Sequence, residues 1–417
     1  MKIIFNALWV KLSFCMCILM SGSLLMASTL SINSVDEAVG YGLNNNPMIK
    51  AQAQVLEAKK TLPKKMGSLS DPKIGLRLNG TPAKNLDYSF DQKRVFVNQS
   101  FLFLGELGRK NELGKKDVAV SELDFEMVKN EVVLSIQSFY YRMVLNKELI
   151  EITEKNNKIL ETIINIADIK YRSGKTLQAN VLKARVSKGK LEEKTLQLNH
   201  QKVMLTEQLK KWLGISDTDF LSIDLAYPKL IALTISTANT ESVSDTLMVR
   251  KAIAMKDKSD QVVRVEKDRY LPNFSAQMEY WNNSGMDNQY SGQLAMTFPW
   301  FNSMNSASVK EAESLSNSKH SQVIDNQNNI KSILVTLLSD LKTTQETVVL
   351  YEDSILKNAE LSLSSFQKAF EVDKASFLDY FDSEKTLFLL EMDYARLVNR
   401  THTLQAKIDS LFEKGVE

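Results

Sequence analysis

Between Glu106 and Tyr171 the chain contains no proline, and apolar residues return at helical spacing. Leu145, Leu149, Ile152, Asn156, Ile159, Ile163 and Ile166 alternate at steps of four and three, which is the seam of a coiled coil. With about 1.5 Å of rise per residue, such a helix reaches on the order of 100 Å, well beyond a compact domain. Gly174, in the turn Tyr171-Arg172-Ser173-Gly174-Lys175, can take the left-handed conformation that ends a helix. Leu177 to Leu213 then reads as a second helix, stopped by Gly214. The same plan returns about 199 residues later. Thr344, Val348, Tyr351, Ile355, Asn358 and Ser362 keep the register, and Phe370-Glu371-Val372-Asp373-Lys374 stands where Tyr171 to Lys175 stood. One continuous helix is predicted from about Ser303 to Phe370, and another from Ser376 to Phe412. Two long helical hairpins therefore organise the chain.

Each hairpin is preceded by a stretch of different character. Val35 to Lys60 reads as a helix interrupted at Pro47. Ile74, Leu76 and Leu78 then alternate with Lys73, Gly75, Arg77 and Asn79, a strand with one apolar face. A polar loop through Asp87 leads to a return strand from Tyr88 to Phe103, less clean in its alternation, and Gly105 turns the chain. In the second half Phe274, Ala276, Met278 and Tyr280 form one apolar face, and Tyr290, Gly292, Leu294, Met296 and Phe298 another, separated by a polar loop from Asn282 to Asn288.

Charge is nearly balanced, with 52 Lys and Arg against 50 Asp and Glu, so no polyanionic partner is implied. The start of the chain reads as a signal peptide over 1–27: Lys2 and Lys11, an apolar run from Leu12 to Met20, then Ser21, Gly22, Ser23 and Ala27. Cleavage between about Ser23 and Ser28 would remove both cysteines, Cys15 and Cys17, and exclude cysteine-based metal sites and disulfides. The remaining organisation is a first structural repeat over 28–213, a connector over 214–240 and a second repeat over 241–417.

Four amphipathic strands pose a physical problem. Long coiled helices offer no globular core to cover their apolar faces, and four strands leave two bare edges. An open edge is not tolerated in lipid, where its backbone groups find no water. Three chains sharing one barrel would supply about twelve strands and close it. The apolar faces would then meet lipid, and Gln277, Glu279, Ser291, Gln293 and Thr297 would line a wet lumen. Tyr280, Trp281, Tyr290, Phe298, Trp300 and Phe301 fall near strand ends, where interfacial belts sit.

Several motifs carry a resemblance: Leu43-Asn44-Asn45-Asn46-Pro47, Gln99-Ser100-Phe101-Leu102-Phe103-Leu104-Gly105, the Tyr171 to Lys175 turn, Tyr270-Leu271-Pro272, and Leu378-Asp379-Tyr380-Phe381-Asp382-Ser383-Glu384. With their order and the duplication, the mature chain resembles the TolC-like outer-membrane efflux proteins, and 99–105 is similar to the heavy-metal branch. The fold class this implies is mainly α with membrane β: duplicated long helical hairpins plus four strands per chain. A homotrimer would form a 12-stranded barrel in outer-membrane lipid and a helical tunnel across the periplasm. The implied function is a non-enzymatic exit duct, without cofactor, that meets a periplasmic adaptor and an inner-membrane pump.

The resemblance places Asp379 and Asp382 at an acidic constriction at the periplasmic mouth, and the residues themselves fit. They lie one helical turn apart, so a trimer would carry rings of carboxylates. Ser376 with Asp379 also reads as a helix cap. The tips at Tyr171, Arg172, Ser173, Gly174 and Lys175 and at Phe370, Glu371, Val372, Asp373 and Lys374 are the expected adaptor-docking points. In better-known members a tip tyrosine, an arginine and an aspartate close the mouth. Phe370, Ala375 and Asn180 stand at those positions, so those bonds cannot form.

Other motifs carry little. Gly174-Lys175-Thr176 lacks the earlier glycine and preceding strand of a phosphate loop. His200, His320 and His402 lie far apart and read as surface residues. Met278, Met286 and Met296 do not make a copper site, because Met278 and Met296 fall on lipid-facing positions. Two alternatives remain at this stage, a periplasmic adaptor and a structural coiled coil without a channel. The first would carry one hairpin in a β-rich module, and the second would not need alternating strands.

Overall fold

A computed structural model describes residues 29–80, 92–215, 220–223, 226, 240–283, 287–301 and 303–412. The expected signal segment, the loop after Asn79 and most of the connector lie outside the described residues, as does Met286.

The first repeat opens with β1 (Thr29–Ile32), α1 (Val35–Asn45), α2 (Pro47–Lys60) and α3 (Leu62–Met66). Ser34 caps α1 by accepting from the Glu37 amide at 3.1 Å. The break at Pro47 is a built corner: Asn46 caps α2 by accepting from the Met48 amide at 2.8 Å, and its Nδ2 donates to the Trp212 carbonyl at 2.7 Å. β2 (Lys73–Asn79) and β3 (Gln92–Phe101) follow, then α4 (Glu106–Arg172) and α5 (Gln178–Leu213). Gly105 starts α4 at φ 88, and Gly214 ends α5 at φ 73. A Cβ on Gly214 would lie 2.8 Å from the Asn45 carbonyl oxygen, so that corner requires glycine twice over.

A further short strand follows, β4 (Phe220–Ile223), which periodicity does not mark. It pairs in parallel with β1. The second repeat then runs through a 3-10 turn (Thr240–Asp245), α6 (Leu247–Lys267), β5 (Phe274–Asn283), β6 (Gln289–Met296), α7 (Ser303–Leu350), α8 (Leu356–Glu371) and α9 (Phe377–Leu411).

The long first helix appears as expected, but its buried line is wider than one seam. Leu149, Asn156 and Ile163 lie at its centre. On one side Asn146, Thr153, Leu160 and Ala167 are fully buried, while on the other Leu145, Ile152, Ile159 and Ile166 are only partly covered. The reason is that α4 packs between two helices, α5 and α9. Leu198 of α5 and Met392 and Ala395 of α9 meet around Leu149.

The second long helix is not continuous. A π-helical turn at Tyr351–Ile355 separates α7 from α8. Such a turn adds one residue and rotates everything after it. The expected register holds through Thr344 and Val348, which are buried, but Asn358 turns outward. Beside the turn, Tyr351 stacks on Tyr394, whose hydroxyl donates to Glu352 at 2.5 Å.

Among the described residues β2, β3, β5 and β6 form one antiparallel sheet in the order β2-β3-β5-β6, so the two halves of the chain join at β3–β5 and the outer strands are paired on one side. One face carries Ile74, Leu76, Val95, Val97, Met278, Tyr290 and Leu294, all exposed, with Ile74 at 74% and Leu294 at 88%. No core covers them. Among the described residues no helix is long and apolar enough to cross a membrane.

Replacing Asn46 by Ala removes a helix cap and leaves the Trp212 carbonyl without this partner. The two effects together should cost about 2 kcal/mol, read as a lowered thermal midpoint with an unchanged far-ultraviolet helix signal. An unaltered midpoint would show that the corner is held by packing alone.

Candidate functional site

The two hairpin tips share one backbone design. Lys175 N donates to the Lys170 carbonyl at 2.8 Å, and Lys374 N donates to the Ala369 carbonyl at 2.8 Å. Gly174 takes φ 73 at the first tip. Its counterpart Asp373 takes φ 58, the one non-glycine residue with positive φ among the described residues. Aspartate tolerates this conformation better than most side chains. Here the turn also aims its carboxylate across to the other tip, where Lys170 and Lys175 hold it, the latter at 2.5 Å. Hydrogen bonds from those two lysines depress the Asp373 carboxyl to about 2.

Lys170 joins the tips a second time. Its Nζ donates to the Phe370 carbonyl at 2.5 Å and lies 4.3 Å from the centre of the Phe370 ring. That ring is buried, at 4% exposure, against Phe377 and Tyr380. Phe370 is thus a core residue of the tip, whereas Tyr171, Arg172, Ser173, Gly174, Glu371, Val372 and Lys374 are exposed. Ile169 and Leu177 are exposed as well and flank the first turn. Both are apolar residues lying off the buried line of their hairpin. Beside the tips, Asn180 donates to the Thr176 hydroxyl at 2.8 Å and Ala375 offers no polar side chain.

Asp379 and Asp382 are both exposed on the first turns of α9. Asp379 sits in a capping box: its amide donates to Ser376 Oγ at 3.2 Å, and its Oδ2 accepts from the Ser376 amide at 3.2 Å. On the inner side of the same helix, Glu384 is buried and accepts a hydrogen bond from Asn156 of α4. Burial pushes the Glu384 carboxyl up to about 7, against the opposing pull of that hydrogen bond. A cavity of about 340 Å³ opens beside it between α5 and α9, with Leu160, Leu191, Phe388 and Met392 among its walls.

The strand end has its own organisation. By register Lys73, Gly75 and Arg77 of β2 share one face with Arg94, Phe96 and Asn98 of β3, Gln277, Glu279 and Trp281 of β5, and Ser291 and Gln293 of β6. Glu279, Gln277, Ser291 and Gln293 therefore stand together as expected. Trp281 belongs to this polar face and not to a lipid belt, with its Nε1 donating to Glu279 at 3.1 Å. Tyr280 and Tyr290 do pair on the apolar face, 5.4 Å apart, and Phe298 and Trp300 pair at the helix end, 5.2 Å apart. Thr297 lies beyond β6, where its hydroxyl accepts from the Asn273 amide at 3.1 Å, so it ties off the hairpin instead of lining it.

His200 and His320 are exposed, but His402 is buried, 5.4 Å from the Tyr141 ring, and desolvation lowers its pKa. The surface reading fails for this residue because α9 buries that side against α4. Among the described residues no group of three or more His, Cys, Asp or Glu side chains could hold a metal ion, so the geometry adds nothing to the metal-branch likeness of 99–105.

No protein-family model matches the chain, and no curated protein sequence does. Solved structures do. The outer-membrane channel OprN superposes with a TM-score of 0.79 at 14% identity, over 91% of this chain and 89% of that one. CusC, studied for its transmembrane channel formation, gives 0.77 at 14% identity over 91% of each chain. VceC, an outer-membrane protein of Vibrio cholerae, gives 0.73 at 13% identity over 91% of this chain and 96% of that one. The fold is that of the solved outer-membrane channels.

Two titrations test the tip. Asp373 has its pKa lowered by folding, so its contribution is present above about pH 4 and is lost as pH falls through about 2. A carboxyl-carbon NMR titration should give a midpoint near 2 in the wild type, returning toward the ordinary value when Lys170 and Lys175 are both alanine. An ordinary midpoint in the wild type would mean that the two tips are not clamped.

Glu384 runs the other way. Its folded pKa is raised, so its contribution is complete below about pH 4.5 and is lost as pH rises through about 7. Between those limits the opening free energy around Asn156 and Glu384 should fall by roughly 3 kcal/mol per chain. Hydrogen exchange should report that fall in the wild type, whereas Glu384→Gln should flatten it. Identical pH profiles would place the carboxyl in water.

Proposed function

We propose that this protein is the outer-membrane exit duct of a tripartite efflux or secretion system. It acts as a homotrimer and passively conducts substrates delivered by an inner-membrane pump and a periplasmic adaptor. One observation carries the reading. A four-stranded sheet with an uncovered apolar face and two single-sided edges stands at one end of a helical body on the order of 100 Å long. Three such sheets close a twelve-stranded barrel whose apolar face meets outer-membrane lipid, and no edge is left in hydrocarbon. The α4–α5 and α7–α9 hairpins then continue the pore into the periplasm. Their tips, at the far end from the strands, are where the adaptor docks. The fold shared with outer-membrane channels supports the same assignment.

In this assembly Asp379 and Asp382 form carboxylate rings just inside the tips. The corresponding first-repeat residues are Asn180 and Lys183, so the negative charge comes from the second repeat alone. The ion pairs of Asp373 with Lys170 and Lys175 hold the two tips of each chain together and take the place of the absent tyrosine, arginine and aspartate bonds.

Mass measurement in detergent should give three chains. In planar bilayers the channel should prefer cations and be blocked by a trivalent cation from the tip side. Changing Asp379 and Asp382 together to alanine should abolish both properties and leave the trimer intact, at about 1 kcal/mol of lost capping per chain. A stable monomer that conducts would overturn the shared barrel. Retained cation preference in the double variant would reduce the two acids to helix caps.

A further inference from the structure

The polar face of the sheet is charged, and its charges are unequal. Among the described strand residues that face holds Lys73, Arg77 and Arg94 against the single carboxylate of Glu279, a net of +2 per chain. Glu279 is 8% exposed and its oxygens are fully engaged. Oε1 accepts from Arg77 Nη1 at 3.2 Å and from Gln277, while Oε2 accepts from Trp281 Nε1 at 3.1 Å and faces Arg94 Nη1 at 3.7 Å. One carboxylate thus serves two guanidiniums and two neutral donors.

Arg94 is fixed in place. It lies over the Trp281 ring, 3.5 Å from its centre, donates to Gln92 at 2.7 Å, and its Nε has no hydrogen-bond partner among the described residues. Arg77 is different. Its side chain is 48% exposed, and a single carboxylate oxygen occupies one corner of a guanidinium that offers five donors. Its Cζ lies 5.5 Å from the centre of the Phe96 ring. Phe96 can lie there because Gly75 stands opposite it in the register; a Cβ on Gly75 would meet the ring at 2.4 Å. Lys73 stands on the same face four residues below Arg77, about 13 Å along the strand. An aromatic shelf, an accessible guanidinium fork and a second cation face one space, and the local carboxylate cannot neutralise them.

We propose that this face is an anion-binding level of the pore, with Arg77 as its accessible ligand. It takes organic anions whose carboxylate, sulfonate or phosphate completes the guanidinium while an apolar body rests on Phe96. The inference rests on the barrel reading, in which three copies of this face surround one lumen. It differs from the tip acids in sign and in position. An anion that reaches the strand level would be held there, and a cation would not.

The test uses the purified trimer in planar bilayers, with benzene-1,3,5-tricarboxylate added on the strand side. Voltage-dependent block is expected in the wild type. Arg77→Gln should raise the half-blocking concentration at least tenfold, and Arg77→Lys should restore most of the block. Glu279→Gln, which removes the competing carboxylate, should lower it several-fold. The Asp379 and Asp382 double-alanine channel should be blocked as the wild type is. A wild-type channel that conducts but is not blocked overturns the anion level and leaves the duct intact. Equal block in the wild type and Arg77→Gln makes the cluster a strand-pinning network only. A protein that forms no channel at all instead removes the duct reading on which this one stands.

Discussion

Most of the molecule depends on α4 being packed from two sides. A helix on the order of 100 Å long has no stability of its own to spare, and its persistence requires an apolar stripe covered along its length. The central line of Leu149, Asn156 and Ile163 is covered by α5 on one flank and α9 on the other. Because α9 belongs to the second repeat, this packing also welds the two hairpins into one body. The tip cluster shows the consequence. Leu160, Ile163 and Val181 from the first hairpin share a core with Phe370, Phe377, Tyr380 and Phe381 from the second.

Polar groups inside that packing supply register more than strength. Asn146 donates to the Leu198 carbonyl at 3.1 Å, and Asn156 donates to Glu384. Either pair is lost if the helices slide by a turn, whereas leucine against leucine would tolerate the shift. Glu384 carries the larger penalty, because its charged form is disfavoured where it lies. The tips answer a similar problem with exposed charge. A left-handed aspartate, bridged by two lysines, joins the two turns outside the core that Phe370 shares with the first hairpin.

The strand end follows a different logic. Its apolar face is left uncovered, and its polar face is stitched by Glu279, so alternation alone separates the two surfaces. The single-sided edges at β2 and β6 make the sheet an incomplete object in any nonpolar solvent.

Sequence periodicity was enough to determine the two hairpins, the Pro47 break, the alternating strands and the equivalence of Gly174 with Asp373, because each is a local property repeated in the chain. It could not determine which side of α4 is most buried, since a heptad shows an apolar stripe but not how many helices cover it. Nor does any local signal mark the π turn at Tyr351–Ile355, which shifts the register and turns Asn358 outward. β4 was illegible for a related reason: a four-residue strand depends on its partner β1, far away in the chain. His402 looked like a surface residue until α9 was laid against α4. The burial of the Phe370 ring likewise depends on Phe377 and Tyr380 closing over it. The placement of Arg77 and Arg94 around one carboxylate required the strand register across both repeats, and register is a property of pairing that no single strand encodes.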